Sequence, residues 1–216
     1  MNDNAAAAQP LSLRARLTRG LLAVSALALA YGAALVLHES YAPQRALEAA
    51  RYSGWLAAWS LLATLCVTPL TQVWLRFRKS LPERQAWRAV VPATRRALGI
   101  AAGALSLLHA CVTFAGVLHG SVRLLWAWPQ VRAGACALII LLALTLTSFP
   151  FLVRALRLQL WKELHRLAYA AAAFTALHVA LSAFAPAVRS GAWLCVLVVM
   201  LALRLWPVPD RRGTER

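Results

Sequence analysis

Apolar residues fall along this chain in six long blocks separated by short polar or basic stretches: 21–37, 55–75, 97–118, 133–153, 164–184 and 191–206. Each block approaches the about 20 residues that carry an α-helix across the hydrocarbon core of a bilayer. A helix satisfies its own backbone N–H and C=O groups, and lipid offers those groups no other partner. The pattern therefore predicts an all-α, polytopic membrane bundle of about six transmembrane helices. No small-residue cleavage site ends the first block, so it reads as a retained signal anchor. The expected organisation is a polar and basic tail (1–20), a transmembrane domain (21–206) and a short polar tail (207–216).

The polar stretches orient the bundle. Lys and Arg number three in the N-terminal tail, seven in the second loop, four in the fourth loop and four from Arg204 onward. The first, third and fifth loops hold Arg45, Arg51, Arg123, Arg132 and Arg189. Basic residues gather on the cytoplasmic side of membrane proteins, so both termini are expected there. Trp55, Trp74, Trp126, Trp128, Trp193 and Trp206 mark block boundaries, as aromatic belts do. Pro69 and Pro150 are expected to bend or end the second and fourth spans.

Composition agrees with this pattern and removes the alternatives. The chain is 61% hydrophobic and 14% charged, with a mean hydropathy of +0.63. Soluble domains carry charge on about a quarter of their residues. A net charge of +16 would suit nucleic-acid binding, but the basic residues lie between apolar spans and not along one soluble face. Lipid, not nucleic acid, is the expected surrounding. Cys66, Cys111, Cys136 and Cys195 each sit inside an apolar run, without CxxC or metal-ligand spacing, and read as buried thiols that behave as small hydrophobes. There is no Gly-rich phosphate loop and no polar stretch long enough for a nucleotide- or flavin-binding domain.

Ionisable groups inside a membrane are functional candidates, which directs attention to the histidines. His38 and His119 end the first and third spans and are expected at the outer interface. His109 lies 12 residues into the third span and His178 lies 14 residues into the fifth. Both helices enter from the cytoplasmic side, so both rings reach roughly 18 to 21 Å from it. Two readings stand side by side. In one, each ring is held by a facing hydroxyl or carbonyl, as buried polar groups require; in the other, the two clamp a planar metallocofactor, imidazole being a normal axial ligand of haem iron.

His165 opens the fifth span, 13 residues before His178, and Arg96 stands 13 residues before His109. That separation is about 20 Å along a helix, enough for two redox centres stacked across a bilayer. The two histidines of the fifth span point about 140° apart on an ideal helix, so either the helix start is irregular or two cofactors sit on different sides of the helix. Arg96 is no ordinary iron ligand, because guanidinium stays protonated. It suits an anionic propionate or phosphate, as do Arg95 and Arg166.

Six segments in order carry a family resemblance: SGWLAAWSLLATLCVTPL (53–70), TRRALG (94–99) leading to LHA (108–110), LTS (146–148), and WKELHRLAY (161–169) leading to LH (177–178). Over about 53–182 the chain resembles the haem-binding membrane subunit of the bacterial periplasmic protein-methionine-sulfoxide reductase system, within the ferric-reductase-like transmembrane family. The resemblance implies haem b on His109 and His178, with His165 as a further family histidine, and flavin mononucleotide (FMN) as a second candidate cofactor. It implies electrons entering from a cytoplasmic flavin reductase or the quinol pool. They would cross the bacterial inner membrane to a periplasmic molybdopterin-containing reductase, which performs the substrate chemistry and repairs oxidised periplasmic proteins. The chain itself would be an electron-transfer subunit of that oxidoreductase system. It departs from the family where Arg-Pro-Tyr often precedes the fourth span; here Val131, Arg132, Ala133 and Gly134 stand.

Two alternatives compete with this reading. One is a ferric- or quinone-reductase-like haem subunit with a different partner. The other is a small membrane transporter or assembly factor without a redox centre. Few polar residues besides the histidines lie within the spans, which weighs against transport.

Overall fold

The computed structural model describes residues 42–77, 81–149, 151–152, 156, 158–182 and 187–205. The predicted first span, His38, Pro150 and both tails lie outside the described residues. Those described form α1 (Ala42–Phe77), α2 (Leu81–Val112) running into a π-helical turn (Thr113–Val117), a short α3 (Val122–Ala127), α4 (Pro129–Leu146), α5 (Leu158–His165), α6 (Leu167–Leu181) and α7 (Ala187–Leu205). Among the described residues, five stretches are long and apolar enough to cross a membrane: Gln44–Trp74, Val90–Val117, Pro129–Leu146, Gln159–Leu181 and Ala187–Leu205. They match the second to sixth predicted spans, and the protein is a multi-pass helical membrane protein.

Several boundaries differ from the sequence expectation. Helix α1 starts well before residue 55 and takes in Arg45, Glu48 and Arg51; Arg51 and Glu48 pair at 2.5 Å one turn apart, which offsets both charges. Pro69 does not end the helix, which runs on to Phe77 with the proline fully buried. A transmembrane helix tolerates proline where neighbouring groups re-satisfy the freed carbonyl. Much of the basic second loop is helical too, because α2 begins at Leu81. Charge prevents residence in lipid, not helix formation. Helix α4 starts at Pro129, whose fixed φ suits a first helical position. The chain breaks at Arg166, between α5 and α6.

The helices meet through small residues, which let backbones approach closely in the absence of a hydrophobic driving force between them. Gly116 faces Ala46, Gly99 faces Thr64, and Gly103 faces Thr145. The first two pairs set α1 antiparallel to α2, and the third brings α2 against α4. The core gathers Leu61, Leu62 and Leu65 of α1 with Ala102, Leu141, Ala171, Ala172 and Trp193. Trp193 is completely buried, and its indole N–H donates to the Ala58 carbonyl at 3.1 Å. At the end where α6 begins and α7 finishes, the Arg204 guanidinium lies 4.8 Å above the Tyr169 ring.

The cysteines correct an expectation. Cys111, Cys136 and Cys195 are exposed and Cys66 is half-buried, all as free thiols. In a membrane bundle an apolar run faces lipid as readily as protein, so location in such a run does not imply burial. Ile139, Val188 and Val198 face outward for the same reason.

Candidate functional site

The site begins with two glycines. In an α-helix the side chain of residue i leans back over the preceding turn and shields the carbonyl of residue i−4. Glycine leaves that carbonyl uncovered, and its second lone pair can accept from outside the helix. Gly54 does this on α1: the His109 ring of α2 lies over it, so that an added Cβ would sit 2.9 Å from Cε1 and 3.1 Å from Nδ1. His109 Nδ1 donates to the Ala50 carbonyl, four residues before Gly54, at 2.9 Å. Gly134 of α4 repeats the arrangement with His178 of α6. A Cβ there would lie 2.8 Å from Nδ1, and Nδ1 donates to the Gln130 carbonyl, again four residues earlier, at 2.7 Å.

Backbone carbonyls only accept, so both imidazoles carry their proton on Nδ1 and keep a free lone pair on Nε2. Ser53 and Thr113 hydroxyls stand 3.4 and 3.5 Å from His109 Nδ1 and mark the polar side of that ring. The Ser53 hydroxyl itself donates to the Ala49 carbonyl at 2.7 Å.

The two rings face each other. Their centres are 6.1 Å apart and their planes cross at 69°. An imidazole nitrogen binds a transition metal at about 2 Å, so two imidazoles on opposite sides of one metal have centres about 6 Å apart. Among the described residues no group of three or more His, Cys, Asp or Glu side chains converges on a common point. A metal already held in the plane of a macrocycle requires only two further ligands, and two imidazoles at this spacing fit that need.

Both rings line one cavity of about 510 Å³ between α1, α2, α4 and α6. Its wall is mainly apolar: Trp55, Leu61, Phe114, Leu125, Leu138 and Leu141 contribute, with Arg51 at the polar margin. A cavity of several hundred Å³ with few convergent polar groups is the usual form of a cofactor site.

His165 and Arg96 are not among the residues lining this cavity. The His165 ring stacks on Trp161 with centres 4.0 Å apart. Its Nδ1 donates to the Trp161 carbonyl at 3.0 Å, and its Nε2 stands 3.3 Å from the Ser148 hydroxyl. Trp161 is fixed in turn by donating to the Thr147 carbonyl at 3.1 Å. The charges of Arg95 and Arg96 both reach His165; Arg95 is half-buried and Arg96 exposed. Arg166 pairs with Glu163 at 2.6 Å on the surface. His119 lies in the turn after the π-helical segment, with φ 48°.

The sequence reading missed Gly54, Gly134, Arg51 and the Ala50 and Gln130 carbonyls. The glycines were visible in the SGW and RAG triplets, but nothing in one sequence says which glycine faces which histidine.

Fold and site together define a multi-pass helical membrane protein with a pair of opposed imidazoles in an apolar cavity inside its bundle. The chain belongs to the family of ferric reductase like transmembrane components, whose profile matches residues 53–176. His109 and His165 fall inside the match, and His178 lies just beyond its end.

The chain is similar to three relatives described as the protein-methionine-sulfoxide reductase heme-binding subunit MsrQ. Identity to that of Deinococcus radiodurans is 36% over 138 residues, covering 61% of this chain and 60% of the relative. To that of Azospira oryzae it is 31% over 123 residues, covering 55% and 47%. To that of Rhizobium meliloti it is 30% over 161 residues, covering 69% and 66%. The matched stretches thus span between about half and two thirds of these relatives. No solved structure matches the chain.

Proposed function

We propose that this protein is a membrane haem b subunit that carries electrons across the bacterial inner membrane to a periplasmic methionine-sulfoxide reductase. One observation carries the proposal: two imidazoles held through Nδ1 by backbone carbonyls, with ring centres 6.1 Å apart, line one apolar cavity. The relatives' description as haem-binding subunits supports the same reading. The four cysteines form no CxxC pair, which favours non-covalent b-type haem over a covalently attached one.

In this reading His109 and His178 are the axial ligands. Ala50 and Gln130 carbonyls orient them, and Trp55, Leu138 and Leu141 keep water from the cavity. Haem held there supplies one-electron redox chemistry, while ligand basicity, dryness and nearby charge set its potential. His165, with Trp161 and Ser148, marks a second centre toward the cytoplasmic side, taking haem or FMN. Arg96 serves it as the partner of a propionate or phosphate. The basic residues at the start of α2 and in α5 support a cytoplasmic location for that side. Electrons enter there from a flavin reductase or the quinol pool and leave to a periplasmic molybdopterin-containing partner, which reduces the substrate. The transmembrane unit is taken as 21–206 and the tails 1–20 and 207–216 as cytoplasmic.

The test is an absorption spectrum and pyridine haemochrome assay on protein purified after expression with adequate haem, with flavin release measured on the same sample. A Soret band with b-type haemochrome is expected. Protein without haem would favour the transporter or assembly reading. Haem that the periplasmic partner fails to oxidise would favour a ferric- or quinone-reductase-like subunit.

A further inference from the structure

We propose that Gly54 and Gly134 are positioning residues that set the tautomer and ring angle of the two axial histidines. The proposal rests on the haem reading of the site. It is drawn from a repeated geometry: on two different helices a glycine at i receives the flat of a histidine, and the carbonyl at i−4 accepts from its Nδ1. The close neighbours are ring atoms at 2.8 to 3.1 Å from an added Cβ. A rigid ring cannot fold away from a methyl group as the tip of a long side chain can. An alanine would therefore push the ring off its carbonyl.

Two consequences follow for a bound haem. A ligating imidazole whose other nitrogen donates to a carbonyl is fixed in tautomer and orientation and is the more basic ligand. Each glycine thus raises haem affinity and lowers the reduction potential through the histidine it seats. The two carbonyls also hold the rings at 69°. The angle between axial imidazole planes governs the g anisotropy of low-spin ferric haem, and steeply crossed planes give a large maximal g value. The sequence of either element alone conveys none of this, because each glycine and its histidine belong to different helices.

The test compares Gly54→Ala and Gly134→Ala with Gly99→Ala, where an added Cβ would meet Thr64 at an ordinary 3.8 Å. Alanine is the better helix former at all three positions, so a general helix effect is common to the set. Haem affinity, potentiometric midpoint and the ferric EPR spectrum are read on each. Gly54→Ala and Gly134→Ala should lose about 10- to 100-fold in haem affinity, raise the midpoint and shift the maximal g value, while Gly99→Ala matches the parent. Parent-like affinity and g values in both glycine variants would overturn the proposal. If His109→Ala and His178→Ala also keep their haem, the ligand assignment itself fails; if they lose it, only the role of the glycines fails.

A second measurement does not depend on those variants folding. His109→Gly leaves a space that added imidazole can enter, and imidazole can donate to the Ala50 carbonyl while 1-methylimidazole cannot. Imidazole should restore the low-spin spectrum at a concentration at least about 10-fold lower. Equal restoration by both compounds would contradict the carbonyl's role.

Discussion

His109 and His178 stand 69 residues apart in the chain, on helices α2 and α6, yet their ring centres are 6.1 Å apart. Neither helix brings this about alone. α1 fixes one ring through Ala50 and Gly54, and α4 fixes the other through Gln130 and Gly134. Four helices therefore hold two side chains, and packing faults elsewhere in the bundle should reach the site.

Trp193 is the first such packing point. Its indole is completely buried and donates to the Ala58 carbonyl, one turn past Gly54 on the same helix. Trp193→Phe keeps most of the volume and should cost about 0.5–1.5 kcal/mol for the lost hydrogen bond. Trp193→Ala leaves a cavity and should cost about 3–5 kcal/mol. Thermal unfolding in detergent, followed by circular dichroism, gives the order; equal midpoints for both variants would refute the placement.

Gly103 and Thr145 give a second packing point, between α2 and α4. An added Cβ on Gly103 would collide with the Thr145 hydroxyl oxygen. Gly103→Ala should destabilise by about 1–3 kcal/mol through overpacking. Thr145→Ala in the same chain should recover most of that loss, since contacting residues are not additive. A double-mutant cycle on unfolding midpoints measures the coupling, and a coupling of zero would mean the helices do not meet there.

His165 should separate from the paired site in function. His165→Ala removes the Trp161 stack and the Ser148 contact but leaves the cavity lining intact. The variant should keep the spectrum of the His109 and His178 haem and lose reduction by a cytoplasmic-side donor. Stopped-flow reduction in inverted membrane vesicles reads this directly. An unchanged rate would remove His165 from the electron path.

Orientation is testable by labelling. With the four native cysteines replaced by alanine, Val122→Cys places a thiol on α3, where the side chain is 60% exposed. It should react with an impermeant maleimide added to cells whose outer membrane alone has been opened. Lys162→Cys, on exposed α5, should react only after the inner membrane is broken. The reverse pattern would invert the bundle.

Much of this was legible in the sequence. Hydropathy located the second to sixth spans because lipid leaves no other home for runs such as ALIILLAL. Counting residues from the basic ends put His109 and His178 at one depth. Helix ends were less legible, because the basic start of α2 and the Arg51 and Glu48 turn of α1 are good helix regardless of polarity. Burial of Cys111, Cys136 and Cys195 could not be read, since an apolar residue in a membrane helix has two apolar surroundings to choose from. Gly54 and Gly134 were out of reach for a different reason: their significance lies in a contact between helices, and one sequence does not record contacts.

On the proposed reading His109 and His178 together hold one haem. The most direct measurement is haem per protein in His109→Ala and His178→Ala, purified beside the parent and quantified by pyridine haemochrome. Each single variant should lose the low-spin spectrum of that haem, and the double variant should lose no more than either one. Full retention of the haem absorbance in both single variants would exclude the two histidines as its ligands.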